Sequence, residues 1–180
     1  MANQFISRML RAAKLDVSLF EEVEADRGAT AQALLVVVLS SLAAGIGAMG
    51  KIEGFGPFGV IIATIAALVG WVVWAMLTYF IGTKIIPGPD TKADLGELLR
   101  TTGFSSAPGI IRVLGFIPFL GWLALLTSAV WMLIAMVIAV RQALDYKSTG
   151  RAVGVCLLGW IFSLVLSWIV SGAPLSGPIH

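Results

Sequence analysis

The sequence predicts an all-α fold, an integral membrane bundle of five transmembrane helices with short interfacial amphipathic helices beside them. Three observations predict it. Hydrophobic residues make up 58% of the chain and charged residues 12%, about half the roughly 25% charge of a soluble domain. The apolar residues fall in runs of about 20, the length that crosses a bilayer core. Short charged segments separate those runs, and the basic residues crowd into alternate ones. The 180 residues suffice for one domain.

Residues 1–29 form a cytoplasmic or interfacial N-terminal segment. Within 3–14, Phe5, Ile6, Met9, Leu10 and Ala13 share one helical face, and Arg8, Arg11 and Lys14 share the other. That pattern suits a basic amphipathic helix lying among lipid headgroups; a helix packed on the bundle is the alternative. Residues 1–30 contain no apolar core of the kind a cleaved signal peptide carries, so the first apolar run is expected to stay as a transmembrane helix. Residues 16–28 follow with Val17, Phe20 and Val23 three apart, and Leu19 four before Val23, a second short helix. Its acidic residues Glu21, Glu22, Glu24 and Asp26 are expected on a solvated face, with docking of a partner as the alternative.

Span one covers 30–49 without a charge and ends in the small residues of 44–48, which permit close helix approach in lipid. Lys51 and Glu53 follow. Span two covers 58–83. Trp71 and Trp74 fall near its middle, as packing or lipid-facing residues, while Tyr79 suits an interfacial anchor. In residues 90–103, Asp94 and Glu97 have capping-box spacing, and Leu95, Leu98 and Leu99 form an apolar stripe. This segment is expected to be an interfacial helix. Span three, 104–118, contains Pro108, Arg112, Gly115 and Pro118. Proline removes a backbone donor and kinks a helix, which lipid tolerates only where other groups satisfy the freed carbonyls. A kinked span is preferred over a re-entrant hairpin with span four. Span four covers 119–140, span five 152–171, and 172–180 is a flexible tail.

Positive loops stay in the cytoplasm. With the N-terminus inside and five spans, ten of the twelve basic residues are cytoplasmic; Lys51 is outside and Arg112 lies within a span. The expectation is therefore a cell (inner) membrane protein, multipass, with its N-terminus cytoplasmic and its C-terminus outside.

Catalytic chemistry finds little footing. The one histidine is His180, and there is no HExxH, zinc-spaced Cys/His set, GxSxG or Walker loop. No catalytic, cofactor-binding or metal-ligating set is expected, and no cofactor. Cys156, the single cysteine, sits in an apolar run as a buried thiol. A net charge of +2 does not suit a nucleic-acid binder. Arg112 is the conspicuous residue, because a guanidinium within a span costs about 2.5–3.5 kcal/mol on insertion scales. Snorkelling to an interface is the default expectation. The functional alternatives are a lipid phosphate, pairing with Asp94, Glu97 or Asp145, or the carbonyls freed by Pro108. Arg112, Pro108, Pro118, Asp94 and Glu97 form the candidate interaction or lipid/transport site. Thr101, Thr102, Ser105 and Ser106 are read as hydroxyls bonding the local backbone.

The layout resembles a known family. DVSLFEEVEADRG before span one, YFIGTK at 79–84, DLGELLRTTGFSSAPG at 94–109 and VRQALDYKSTGRAVGVCLLGW at 140–160 are similar to the Yip family of Ypt/Rab-interacting proteins. Gly82 matches the family's turn after span two; Gly103, Phe104 and Pro108 match its entry into span three. The resemblance covers about residues 15–171 and implies a cytosolic N-terminal region followed by five membrane helices. Eukaryotic members act in membrane traffic, binding Rab-type GTPases and each other. This chain has neither their long N-terminal region nor a DLYGP-like motif, and looks more like the prokaryotic branch, for which the resemblance implies a fold and a membrane location. The expected function is a non-enzymatic multipass protein acting through membrane lipids and a protein partner or homo-oligomer; a small transporter or lipid-handling protein using the broken third span is the alternative.

Overall fold

A computed structural model describes residues 2–49 and 56–170. Lys51, Glu53 and the tail 172–180 with His180 lie outside the described residues. Helix α1 (Ala2–Ala13) closes at Leu15, whose φ of 62° reverses the chain. Helix α2 (Val17–Ala25) starts at Asp16, whose carboxylate accepts the Ser18 amide at 3.0 Å. Then come α3 (Ala29–Ala48), α4 (Pro57–Phe80) with a π-turn over Ile81–Ile85, and α5 (Leu95–Phe104). A 3-10 helix over Ala107–Phe116, α6 (Gly121–Ala143) and α7 (Thr149–Val170) complete the chain. No strand occurs among the described residues. The runs Ala29–Ala48, Pro57–Ile85 and Gly121–Ala143 are long and apolar enough to cross a bilayer, and α7 contributes the shorter apolar stretch Thr149–Val165.

The third apolar segment differs in form from the expectation. The interfacial helix expected over 90–103 and the span expected over 104–118 make one rising path beside α3. A Cβ on Gly103 would lie 2.7 Å from the Ala33 methyl, and one on Gly115 would lie 2.8 Å from the Gly47 carbonyl oxygen. Between them, Gly109 faces Ser40. Only small residues allow two backbones this close, which is how helices gain contact where lipid gives no hydrophobic drive. Ala33 to Gly47 is about 21 Å of α-helix, so the two paths run parallel along most of α3. Helix α5 supplies about 15 Å and the 3-10 helix about 20 Å, against a bilayer core of about 30 Å.

Two local facts make this path. Pro108 has no N–H to continue the α-ladder, and the Gly109 amide turns to Ser106 O at 2.9 Å, an i−3 bond that tightens the chain. Helix α5 is polar in sequence but buried at Leu98, Arg100, Thr101, Thr102, Gly103 and Phe104. Its hydroxyls are satisfied inside the path: Thr101 donates to Glu97 O at 3.0 Å and Ser105 to Thr102 O at 2.7 Å. A polar stretch whose donors find local acceptors can be buried, which its composition alone conceals.

Helix α1 is a second departure. Arg8 is only 4% exposed and pairs with Glu22 and Asp26, each at 2.8 Å; Arg11 pairs with Asp16 at 2.7 Å and with Glu22. The basic face therefore meets the acidic stripe of α2 rather than headgroups. Phe5, Met9 and Ala12 pack on a core of Phe20, Val23, Ala33 and Phe104, while Ile6 and Leu10 stay exposed. A second core, with Ile81, Leu98, Val140, Leu144 and Tyr146, gathers the ends of α4, α5, α6 and α7. The Tyr146 hydroxyl shares its proton between Gly82 O, at 3.0 Å, and Ile86 O, carbonyls at the π-turn. Tyr79 is half-buried against this core.

Candidate functional site

Cross-links between elements and a shared cleft gather Arg8, Arg11, Arg100, Arg141 and Lys147 around α2 and the far end of α6. Arg100 donates to Val23 O at 2.8 Å and to Glu24 O, closing the C-terminus of α2. Gln142 donates to Glu21 at 2.8 Å, and Lys147 pairs with Asp90 at 2.7 Å. At this end Glu21, Glu24, Glu97, Arg141, Asp145 and Lys147 line a cleft of about 650 Å³. Burial, then the neighbouring Asp145 and Glu97 charges, push the Glu24 carboxyl up to about 7, with Arg100 opposing. Asp94 and Glu97 form the reciprocal capping box of α5, with bonds of 2.8 and 2.7 Å.

Arg112 lies elsewhere. Its carbonyl oxygen abuts Gly47, at the other end of α3, yet its guanidinium does not reach outward from there. Nη2 donates to Ser40 Oγ at 2.9 Å and to Ser40 O at 3.3 Å, and Nε donates to Gly109 O at 3.1 Å. Ser40 sits about 10 Å back along α3 from Gly47, near the helix midpoint. The side chain therefore turns inward, opposite to the expected snorkelling. Gly109 makes room for it: a Cβ there would lie 2.7 Å from Nη2 and 2.8 Å from Met132 Sδ.

The guanidinium faces a cavity of about 280 Å³ between α3, α4, α5 and α6. Trp71 and Trp74 from α4 and Met132 and Met136 from α6 give it apolar walls, and Ser40, Ser41, Thr102 and Ser106 add hydroxyls. The indoles are held: Trp71 Nε1 donates to Thr102 Oγ1 at 3.2 Å and Trp74 Nε1 to Met136 Sδ at 3.3 Å. Ser41 and Thr102 direct their own protons to Val37 O, at 2.9 Å, and Leu98 O. Of the five N–H groups of a guanidinium, those on Nη1 have no protein acceptor among the described residues, and no carboxylate there pairs with Arg112.

Of the five residues of the candidate site, the structure brings only Pro108 beside Arg112, as the start of the same tight helix, while Trp71, Trp74, Thr102 and Ser106, expected as packing residues and backbone-bonding hydroxyls, also line the cavity. Pro118 sits in the exposed turn before α6, next to Phe119, which is 92% exposed at a φ of 68°. Asp94, Glu97 and Asp145 remain at the basic end. Ser40, Gly109 and Met132 carried no expectation of a site from sequence, and the two tryptophans were expected only as packing or lipid-facing residues; the GxxR spacing of Gly109 and Arg112 is the one local hint. Among the described residues no cluster of His, Cys, Asp or Glu could hold a metal ion.

No curated protein and no solved structure matches this chain. The family model of the Yip1 domain matches residues 17–170. That match opens at the first residue of α2 and closes at the last of α7, so it takes in every helix that walls the cleft and the cavity. With long apolar helices and that match over most of its length, the chain is a multipass membrane protein belonging to the Yip family.

Proposed function

We propose that this protein acts by binding, as a non-catalytic membrane-organising component that engages membrane lipids and a protein partner or second copy. The observation that carries this is the chemistry of the Arg112 cavity. Its polar groups are a permanently charged guanidinium and a few hydroxyls, two of them already committed to carbonyls. No member of the set exchanges protons near neutral pH, as acid–base catalysis requires. A guanidinium with its Nη1 free and no acidic partner among the described residues is suited to holding an anion at the proposed bilayer depth, which favours lipid handling over a purely structural role.

The proposed setting is a cell (inner) membrane, with five crossings, the N-terminus cytoplasmic and the C-terminus outside. Clustering of Arg8, Arg11, Arg100, Arg141 and Lys147 at one end supports this, because positive segments stay inside. The combined length of α5 and the tight helix supports a third full crossing. Purification in native-lipid nanodiscs followed by native mass spectrometry tests the function. Retained lipid or a stoichiometric partner is expected. A protein that holds neither, yet turns over a substrate, would overturn the proposal.

A further inference from the structure

We infer that the Arg112 cavity takes the anionic headgroup of an acidic phospholipid, which enters sideways between α4 and α6 while its acyl chains stay in the bilayer. This rests on the lipid-binding function proposed above and names its ligand class. Charge is the first ground. Arg112 brings a full positive charge to the depth of Ser40 with its Nη1 uncommitted and no acidic partner among the described residues. A phosphate oxygen is the natural acceptor for a guanidinium.

Size is the second ground. At about 280 Å³ the cavity lies at the small end of ligand sites, which run from roughly 300 Å³. It has room for a headgroup and none for two acyl chains. Access is the third. Helices α4 and α6 both wall the cavity but pack mainly on other helices, α4 on α3 and α5, α6 on the tight helix and α7. Gly70, on the α4 wall, has only open space where a Cβ would stand. Beside it Val69 is exposed, as is Leu133 next to Met132. A hydrated free anion would shed its water against this apolar approach, whereas a lipid arrives with its chains already in hydrocarbon. The methionine walls can adjust to a glycerol backbone.

The test uses the full chain in detergent, with phosphatidylglycerol, phosphatidylcholine and inorganic phosphate as probes and lipid retention read by native mass spectrometry. The expected result is retention of phosphatidylglycerol over phosphatidylcholine by about tenfold. Arg112→Gln should bring that preference to near parity. Gly70→Leu, which fills the mouth and leaves every charge in place, should lower retention of both lipids. If Arg112→Gln does not fold, Gly70→Leu decides alone, and unchanged phosphatidylglycerol retention by the folded variant overturns the inference. So does an unchanged preference in folded Arg112→Gln, or displacement of lipid by equimolar phosphate, which would make the ligand a free anion. A wild-type protein that retains both lipids equally overturns the anion assignment and leaves lipid binding standing. Retention of neither lipid overturns both.

Discussion

At the scale of single residues, the inward turn of Arg112 depends on a hydrogen atom at position 109. Gly109→Ala would press a methyl first against Ser40 Oγ and then against Nη2 and Met132 Sδ, at 2.7 and 2.8 Å. The flexible ends of Arg112 and Met132 can yield, but the short Ser40 side chain must turn away and give up its bond from Nη2, so the expected loss is toward the upper end of about 1–3 kcal/mol, the usual cost of overpacking, read as a lower melting temperature in detergent. Lipid retention should fall with it, because the guanidinium is what moves. Glu24 gives a prediction of another kind. Its carboxyl is raised to about 7 from 4.5, so the folded state holds a proton that the unfolded chain has released. That contribution is full below 4.5 and is lost as pH rises through about 7. Asp16, Glu22 and Asp26 are held low by hydrogen bonds from Arg8 and Arg11, and their contribution is lost only as pH falls below their ordinary values of 3.8 and 4.5. Between about pH 5 and about pH 8 the Glu24 effect therefore stands alone, and stability should decline by on the order of 1–3 kcal/mol. Glu24→Gln should flatten that slope in a melting series; an equally steep slope in the variant would reject the assignment.

At the scale of elements, the long helices were legible because an uncharged apolar run has one outcome in lipid. The capping box was legible too, because Asp94 and Glu97 act within one turn. What local pattern could not disclose was which polar face meets which. Arg8 and Arg11 suit headgroups when α1 is taken alone; the acids of α2 reach them first. Helix α5 suits a surface when its threonines are counted as polar, and it is buried because each hydroxyl has a carbonyl one turn back. Arg112 suits snorkelling until Ser40, 72 residues away, supplies two acceptors. These outcomes depend on partners distant in sequence, as does the docking of α1 and α2. Arg100 is the main polar tie, since it closes the C-terminus of α2 from within α5. Arg100→Met keeps much of the side-chain volume and strands the Val23 and Glu24 carbonyls, at a cost of about 2–3 kcal/mol. Hydrogen exchange in α2 should then quicken at least about tenfold, with exchange in α3 and α6 little changed. Equal acceleration throughout would mean that α1 and α2 belong to one cooperative unit with the bundle.

At the scale of the whole molecule, one geometric relation organises the rest. The path through α5 and the tight helix runs parallel to α3, with Gly103, Gly109 and Gly115 meeting Ala33, Ser40 and Gly47 in order. Two parallel neighbours joined through α4 require α4 to return in the opposite sense. The turn after Phe116 then sends α6 back, and its far end meets α2 through Gln142 and Glu21. Helix α7 sets out from that same end, where Tyr146 binds the π-turn. The described helices thus make five passes along the bundle and reverse direction four times from the basic end, which supports the odd number of crossings proposed above over a re-entrant third segment. Reporter fusions convert this into sidedness. An alkaline phosphatase fused after Pro89 or after Ser148 should be inactive, and one fused after His180 active; a green fluorescent protein should show the reverse. Activity after Ser148 with inactivity after His180 would identify a third segment that turns back, and would put Arg112 in a loop dipping from one leaflet. The lipid site would then have access from one side only.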